Sequence, residues 1–289
     1  MRTRILISCL ALLVAASGAR GAEIPRTADG RPDLNGIWQV LNEANDGLER
    51  HNAAHAPMLR EGPRGPLPAA DVLRLGATVA VPPSLGVIRG GGPLPYTEAA
   101  QAKREALRAD WVNTDPEVKC YMPGVPRATY LPYPFQIFQN EDDVFIAYQF
   151  AGAVREIYMT DPGEAPIDAW MGWSHGRWEG DTLVVDVTGL HDGSWLDRTG
   201  THHSNQLRVV ERYTLTGPDH IAYEATIEDP EVFTEPFTID MPLYRRKDAG
   251  MQLLEFKCVE FVEELLYGEW RRTPLPRPTS GEAAQEEDR

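Results

Sequence analysis

From residue 135 to residue 243 apolar and polar positions alternate in short runs broken by turn formers, the period of a strand with one buried face. The runs fall at 135–139, 144–150, 154–159, 173–178, 182–188, 207–215, 221–227 and 237–243. A short run precedes them at 36–41 and a last one is expected at 251–261. In 182–188 the core-facing set is Leu183, Val185 and Val187, set against Thr182, Asp186 and Thr188. Glu179, Gly180 and Asp181 separate this run from 173–178. Glycine accepts the positive φ of a tight turn, so the two runs predict a hairpin. Most other links are also short, and parallel neighbours need crossovers of roughly a dozen residues or more. An all-β fold with antiparallel strands follows. Closure into a barrel removes exposed edges and is the expected form; a β-sandwich is the alternative.

Ahead of these strands the pattern changes. Residues 42–92 are rich in Pro, Gly and Ala without a period of 2 or 3.6, and predict an irregular segment laid over the core. One helix follows: Thr97 suits its cap, Glu98 suits the positive end of its dipole, and Ala99, Ala102, Ala106, Leu107 and Trp111 form an apolar stripe. Pro123, Pro126, Pro132 and Pro134 then impose an extended path into the long strands. At the N-terminus Arg2 and Arg4 precede an apolar run, 5–16, and the small-x-small triplet Ala19-Arg20-Gly21. This is the arrangement of a cleaved secretory signal, with an apolar run too short to span a bilayer. The expected organisation is a signal at 1–21, an irregular segment with the first strand and the helix at 22–134, a barrel core at 135–272, and a disordered acidic tail at 273–289.

Charge narrows the partners. The formal net charge is −15 and becomes more negative if Arg2, Arg4 and Arg20 leave with the signal. Such a surface repels nucleic acid and anionic membrane, so neither is an expected partner, and no membrane insertion is expected. Secretion to the periplasm or beyond would leave two cysteines, Cys120 and Cys258. An even pair in an oxidising compartment predicts one disulfide, worth about 3–5 kcal/mol across so long a loop. Two buried thiols are the alternative, because Cys258 lies in an alternating run.

Candidate chemistry collects in residues 170–212, which hold four of the seven Trp and four of the seven His. After Thr188 the alternation stops, and Gly189, Gly193 and Gly200 predict an ordered excursion of the kind that carries binding and catalytic groups. Trp195, Asp197 and His203 are its candidates, with His203 as base and Asp197 orienting it. Glu211, on the next strand, is a third acid/base candidate or the buried half of an ion pair with Arg155 or Arg208. Trp178, Trp195, Tyr148 and Tyr223, with Arg155, are expected to line a cavity for a small, largely apolar molecule. No cofactor is expected. A metal bound by His191 and His202 with Asp197 and His203 is the alternative, although their spacing matches no known ligand set. Ser174 and His175 are strand neighbours that face opposite ways, and there is no G-x-S-x-G elbow, so a serine hydrolase is not expected from them.

Four segments, PDLNGIW (32–38), GRWEGDTLVVDVTGL (176–190), WLDRTGTHHS (195–204) and LLEFKCVEF (253–261), resemble a widespread family of secreted bacterial proteins, most with no assigned activity. The resemblance implies no mechanism. The chain departs from that family's pattern at Asn205 and Arg208, where an acidic residue and a histidine are usual, so no metal or acid/base role is carried over there. Gly36-x-Trp38 also resembles the lipocalin signature, which implies a lipocalin- or calycin-like barrel. Together these readings point to a secreted barrel that captures a small, aromatic or isoprenoid-like molecule. Lyase, hydratase or isomerase chemistry on that molecule is the expected activity if there is one. A metal-dependent enzyme and a structural or partner-binding envelope protein are the alternatives.

Overall fold

A computed structural model describes residues 23–55, 59–61, 66–68 and 80–256. After β1 (Gly36–Gln39), two small antiparallel ladders lie in the irregular segment: β2 (Ala54–His55) with β5 (Ala80–Val81), and β3 (Leu59–Glu61) with β4 (Pro66–Pro68). The long strands follow as β6 (Phe135–Gln139), β7 (Asp143–Tyr148), β8 (Val154–Tyr158), β9 (Trp173–Glu179), β10 (Thr182–Thr188), β11 (Arg208–Gly217), β12 (His220–Glu228) and β13 (Phe237–Arg245). They close with β1 into a barrel in the order β1-β13-β12-β11-β10-β9-β8-β7-β6. The single long helix, Glu98–Ala109, is capped as its sequence requires, with Thr97 Oγ1 accepting from Ala100 N at 3.2 Å.

The barrel is mixed, not wholly antiparallel. β8 and β9 run parallel, with Ile157 opposite Ser174 and Tyr158 opposite His175. Residues 159–172 provide the long return that a parallel pair demands. Residues 251–256, expected to begin a last strand, run as irregular chain. The signal at 1–21, the tail at 273–289 and Cys258 lie outside the described residues.

Pairing fixes which links share an end. Phe135 opposite Tyr148, Thr188 opposite Trp173 and Phe237 opposite Ile227 place the start of β6, the end of β10 and the start of β13 at one end. That end receives the long links, 149–153, 189–207 and 229–236, and the segment leading into β6. The other end carries tight turns such as Gly180, at φ +60°. Inside, alternate residues of each strand meet. Ile137, Val144, Ile146, Ile157, Leu183, Val185, Val209, Ile221, Ile227, Ile239 and Leu243 are all buried. At about 1.5–3 kcal/mol per fully buried aliphatic side chain, this interior supplies the main drive for closure. Near β1, Trp38 donates to the Leu34 carbonyl at 2.8 Å and Arg245 stacks 4.2 Å over its ring. Gly36, at φ +133°, makes that stack possible: a Cβ there would stand 2.3 Å from Arg245 Nη1.

Candidate functional site

The predicted site residues separate into three places. Trp178 lies beside the tight β9–β10 turn with Arg31 5.4 Å above its ring. Tyr148, Arg155, Glu211 and Tyr223 are inside the barrel. Trp195, Asp197 and His203 belong to the 189–207 excursion, which covers the opposite end. The structure does not bring them into one cavity.

Inside the barrel most of the polar contacts centre on Glu211 and Arg155. Glu211, fully buried, pairs with Arg155, and its other oxygen accepts from Tyr213 at 2.9 Å and Tyr223 at 2.7 Å. Arg155 Nε donates to Ser174 Oγ at 2.8 Å. Burial alone would lower the Arg155 guanidinium, but the Glu211 carboxylate beside it raises it well above its ordinary value. Burial, reinforced by Glu211, raises the Tyr213 and Tyr223 phenols. Of the two arginines offered by sequence, Arg155 is the partner; Arg208 pairs outside with Asp186. Arg155 Nη1 and the hydroxyls of Tyr148 and Thr129 have no hydrogen-bond partner among the described residues. This network fixes the barrel's centre, and Glu211 and Arg155 read as a structural ion pair.

The excursion folds inward as a roof. Ser194, Trp195, Leu196, Asp197, Thr201, His202 and His203 are all buried. Trp195 bridges His202, Leu196 N donates to the Thr201 carbonyl at 2.6 Å, and Tyr130 Oη donates to the Leu196 carbonyl at 2.6 Å. Asp197 does not orient His203. One of its oxygens accepts from Leu48 N at 2.9 Å and the other from Thr199 N and Oγ1 at 2.9 and 2.7 Å, so it clamps the roof to the N-terminal segment. Among the described residues no group of three or more His, Cys, Asp or Glu is placed to hold a metal ion. His191 stacks on Trp170 with ring centroids 4.5 Å apart, and Lys103 adds its charge to the burial that lowers His202 to about 4.

His203 has a different partner, one that sequence reasoning missed. Its Nδ1 lies 2.8 Å from the Ser204 carbonyl, which can only accept, so Nδ1 carries the proton. Nε2 is then the basic nitrogen, and it lies 2.8 Å from Ser194 Oγ, which donates to it. Burial lowers His203 from its ordinary value, which keeps the imidazole neutral. Ser204 is itself fixed: its N and Oγ donate to Asp229 at 2.6 and 2.9 Å. The result is a hydroxyl facing an unprotonated nitrogen of an imidazole whose tautomer and orientation are set by the chain.

Ser194 also borders a narrow cleft, too tight in this structure to admit a water molecule, with Tyr121, Met122, Pro123, Leu131 and Phe150 on its apolar side and Glu117 and Arg127 on its polar side. Gly124, at φ +71°, packs against Ser194 so closely that a Cβ would stand 2.5 Å from its Oγ, which only glycine allows. Arg127 is buried, with Nε on Asn45 at 2.8 Å, Nη2 on Glu117 at 2.7 Å and Nη1 only 3.4 Å from the Trp195 carbonyl. The signal for Ser194 was present as a hydroxyl nine positions before His203 on a glycine-flanked loop, but spacing alone does not say that the loop folds back on itself. Comparison with protein-family models, curated proteins and solved structures yields no match to this chain.

Proposed function

We propose that this is a secreted, periplasmic protein that binds a small, largely apolar molecule in the cleft beside Ser194, with His203 as the base of any proton transfer to or from it. The observation that carries the reading is the 2.8 Å approach of Ser194 Oγ to His203 Nε2 at the edge of an apolar-lined cleft. The cleft replaces the barrel interior as the binding place, because Tyr148, Arg155 and Tyr223 pack against other interior side chains. In this structure the cleft has no room for even a water molecule, so binding requires its side chains to part, which favours a single ring or short chain over an isoprenoid. Secretion is supported by the arginines and apolar run of residues 1–21. Nucleic acid plays no part in the proposal, and no described helix is long and apolar enough to cross a membrane.

A disulfide from Cys120 to Cys258 completes the proposal. It is supported by the path of the chain: Phe256 packs 4.7 Å from Phe150, a wall of the same cleft that Tyr121 lines. Alkylation of the secreted protein followed by mass spectrometry checks it; two modified cysteines without reductant would count against the bond. A tryptophan-emission and melting screen with single-ring and short-chain compounds tests the binding reading. Ligands that raise the melting temperature of wild type, and do so less in Leu131→Trp, are expected. A screen with no shift from any compound would sink it.

A further inference from the structure

We infer that a second cavity, between residues 48–50 and 85–92, binds a small monocarboxylate whose apolar body is a short chain or a single ring. The inference is independent of the cleft beside Ser194 and shares no lining residue with it. Unlike that cleft, this cavity has room, about 160 Å³ that water can enter. It is also open at its rim, where a Cβ added at Gly91 or Gly92 would meet nothing within 4 Å.

Local chain geometry builds the cavity. His51 N donates to the Ser84 carbonyl at 3.1 Å, Ser84 N to the His51 carbonyl at 3.0 Å, and Val87 N to the Leu48 carbonyl at 2.9 Å. The two segments run antiparallel through the His51–Ser84 bridge, so Arg50 falls opposite Leu85. Gly86 permits the close approach: its φ is +80°, and a Cβ there would stand 2.7 Å from Arg50 N. The barrel holds the wall around Ile88, with Arg89 N donating to the Thr238 carbonyl at 2.8 Å and Asp240 N to the Val87 carbonyl at 2.9 Å. Walls set before a ligand arrives lower the ordering cost of binding.

Two features of the lining specify the ligand. Leu85 is 82 % exposed, beside Ile88 and the buried Leu48, an apolar wall left facing water. Arg50 is exposed, and its side chain has no ion pair or hydrogen bond among the described residues. Nearby arginines are committed, Arg89 to Glu224 and Asp240 and Arg104 to Glu49. Glu49 cannot serve Arg50 as well, because its oxygens accept from Leu94 N and Arg104 Nη2. A free guanidinium fork matches a carboxylate with two parallel hydrogen bonds. Leu48, Leu85 and Ile88 then take the apolar body.

Isothermal titration of the full chain with benzoate, benzamide and inorganic phosphate tests the assignment. Benzoate should bind saturably. Benzamide, of the same shape without the charge, should bind about 10-fold or more weakly, the usual contribution of hydrogen bonds to a charged group. Phosphate, without an apolar body, should also bind more weakly than benzoate. Arg50→Gln should erase the preference for benzoate over benzamide, and Leu85→Asp should weaken benzoate. No saturable benzoate binding, equal affinity for benzoate and benzamide, or tighter binding of phosphate would overturn the inference, and none of these needs a variant to fold. An undiminished preference in Arg50→Gln would overturn it too. Leu131→Trp, in the cleft beside Ser194, should leave the preference intact. Its loss there would move the carboxylate site to that cleft and end this proposal while leaving the other standing.

Discussion

The barrel interior and its roof both bury charged or polar side chains, yet they use them differently. In the interior, Glu211 spends both oxygens on Arg155, Tyr213 and Tyr223, all deep among aliphatic side chains. In the roof, Ser194 and His203 form a pair in which one proton can move, at the margin of a cleft. Burial alone therefore does not mark a site. What separates the two regions is charge: the interior holds an ion pair braced by two phenols, whereas the roof holds a neutral hydroxyl–imidazole pair.

The largest effect should come from the interior. Glu211→Gln leaves Arg155 buried without its counter-charge, and removing one member of a buried pair costs about 3–5 kcal/mol. The double replacement Arg155→Met with Glu211→Leu should be more stable than either single change, because no charge is then stranded. Denaturant melts of wild type, Glu211→Gln, Arg155→Met, Glu211→Leu and the double replacement measure this. Equal stability of Glu211→Gln and wild type would show that the interior pair does not hold the barrel's centre.

Legibility in the sequence followed the same divide. Strands β10 to β13 were readable because each buries one face, so every second residue had to be apolar. The Thr97 cap and the Gly180 turn were readable because their causes are local. The parallel pairing of β8 and β9 was not, since it depends on where residues 159–172 carry the chain and not on any period. Asp197 was misassigned for a related reason: its partner Leu48 is 149 residues away. Ser194 went unnoticed because a hydroxyl on a loop acquires meaning only when the loop folds onto His203.

A second effect, in the roof, depends on pH. Burial, helped by Lys103, lowers His202 from 6.5 to about 4, and burial lowers His203 as well. Below the unfolded value the unfolded chain binds the extra protons and the folded chain does not. Stability is therefore full above pH 6.5 and falls as pH drops toward about 4. At 1.36 kcal/mol per pKa unit, His202 accounts for on the order of 2–3 kcal/mol across that window. Half-buried Asp46 and buried Asp115 are raised by desolvation and so act in the opposite direction. The measurement is thus the difference between wild type and His202→Gln at each pH. It should shrink with acid, and a constant difference would refute the assignment.

Asp197→Ala should cost less, about 1–3 kcal/mol, by stranding the buried Leu48 and Thr199 amides. Denaturant melts measure this, and a variant as stable as wild type would show that Asp197 does not clamp the roof to the N-terminal segment.

The smallest effect on stability is the most informative. Ser194→Ala removes one neutral hydrogen bond and leaves His203 Nε2 without its donor, a change of about 1 kcal/mol. The melting temperature should therefore fall by only a few degrees, and that fall, set beside the fall in Glu211→Gln, measures how far the roof differs from the interior. Melting of Ser194→Ala as low as that of Glu211→Gln would place Ser194 with the interior network as a structural group.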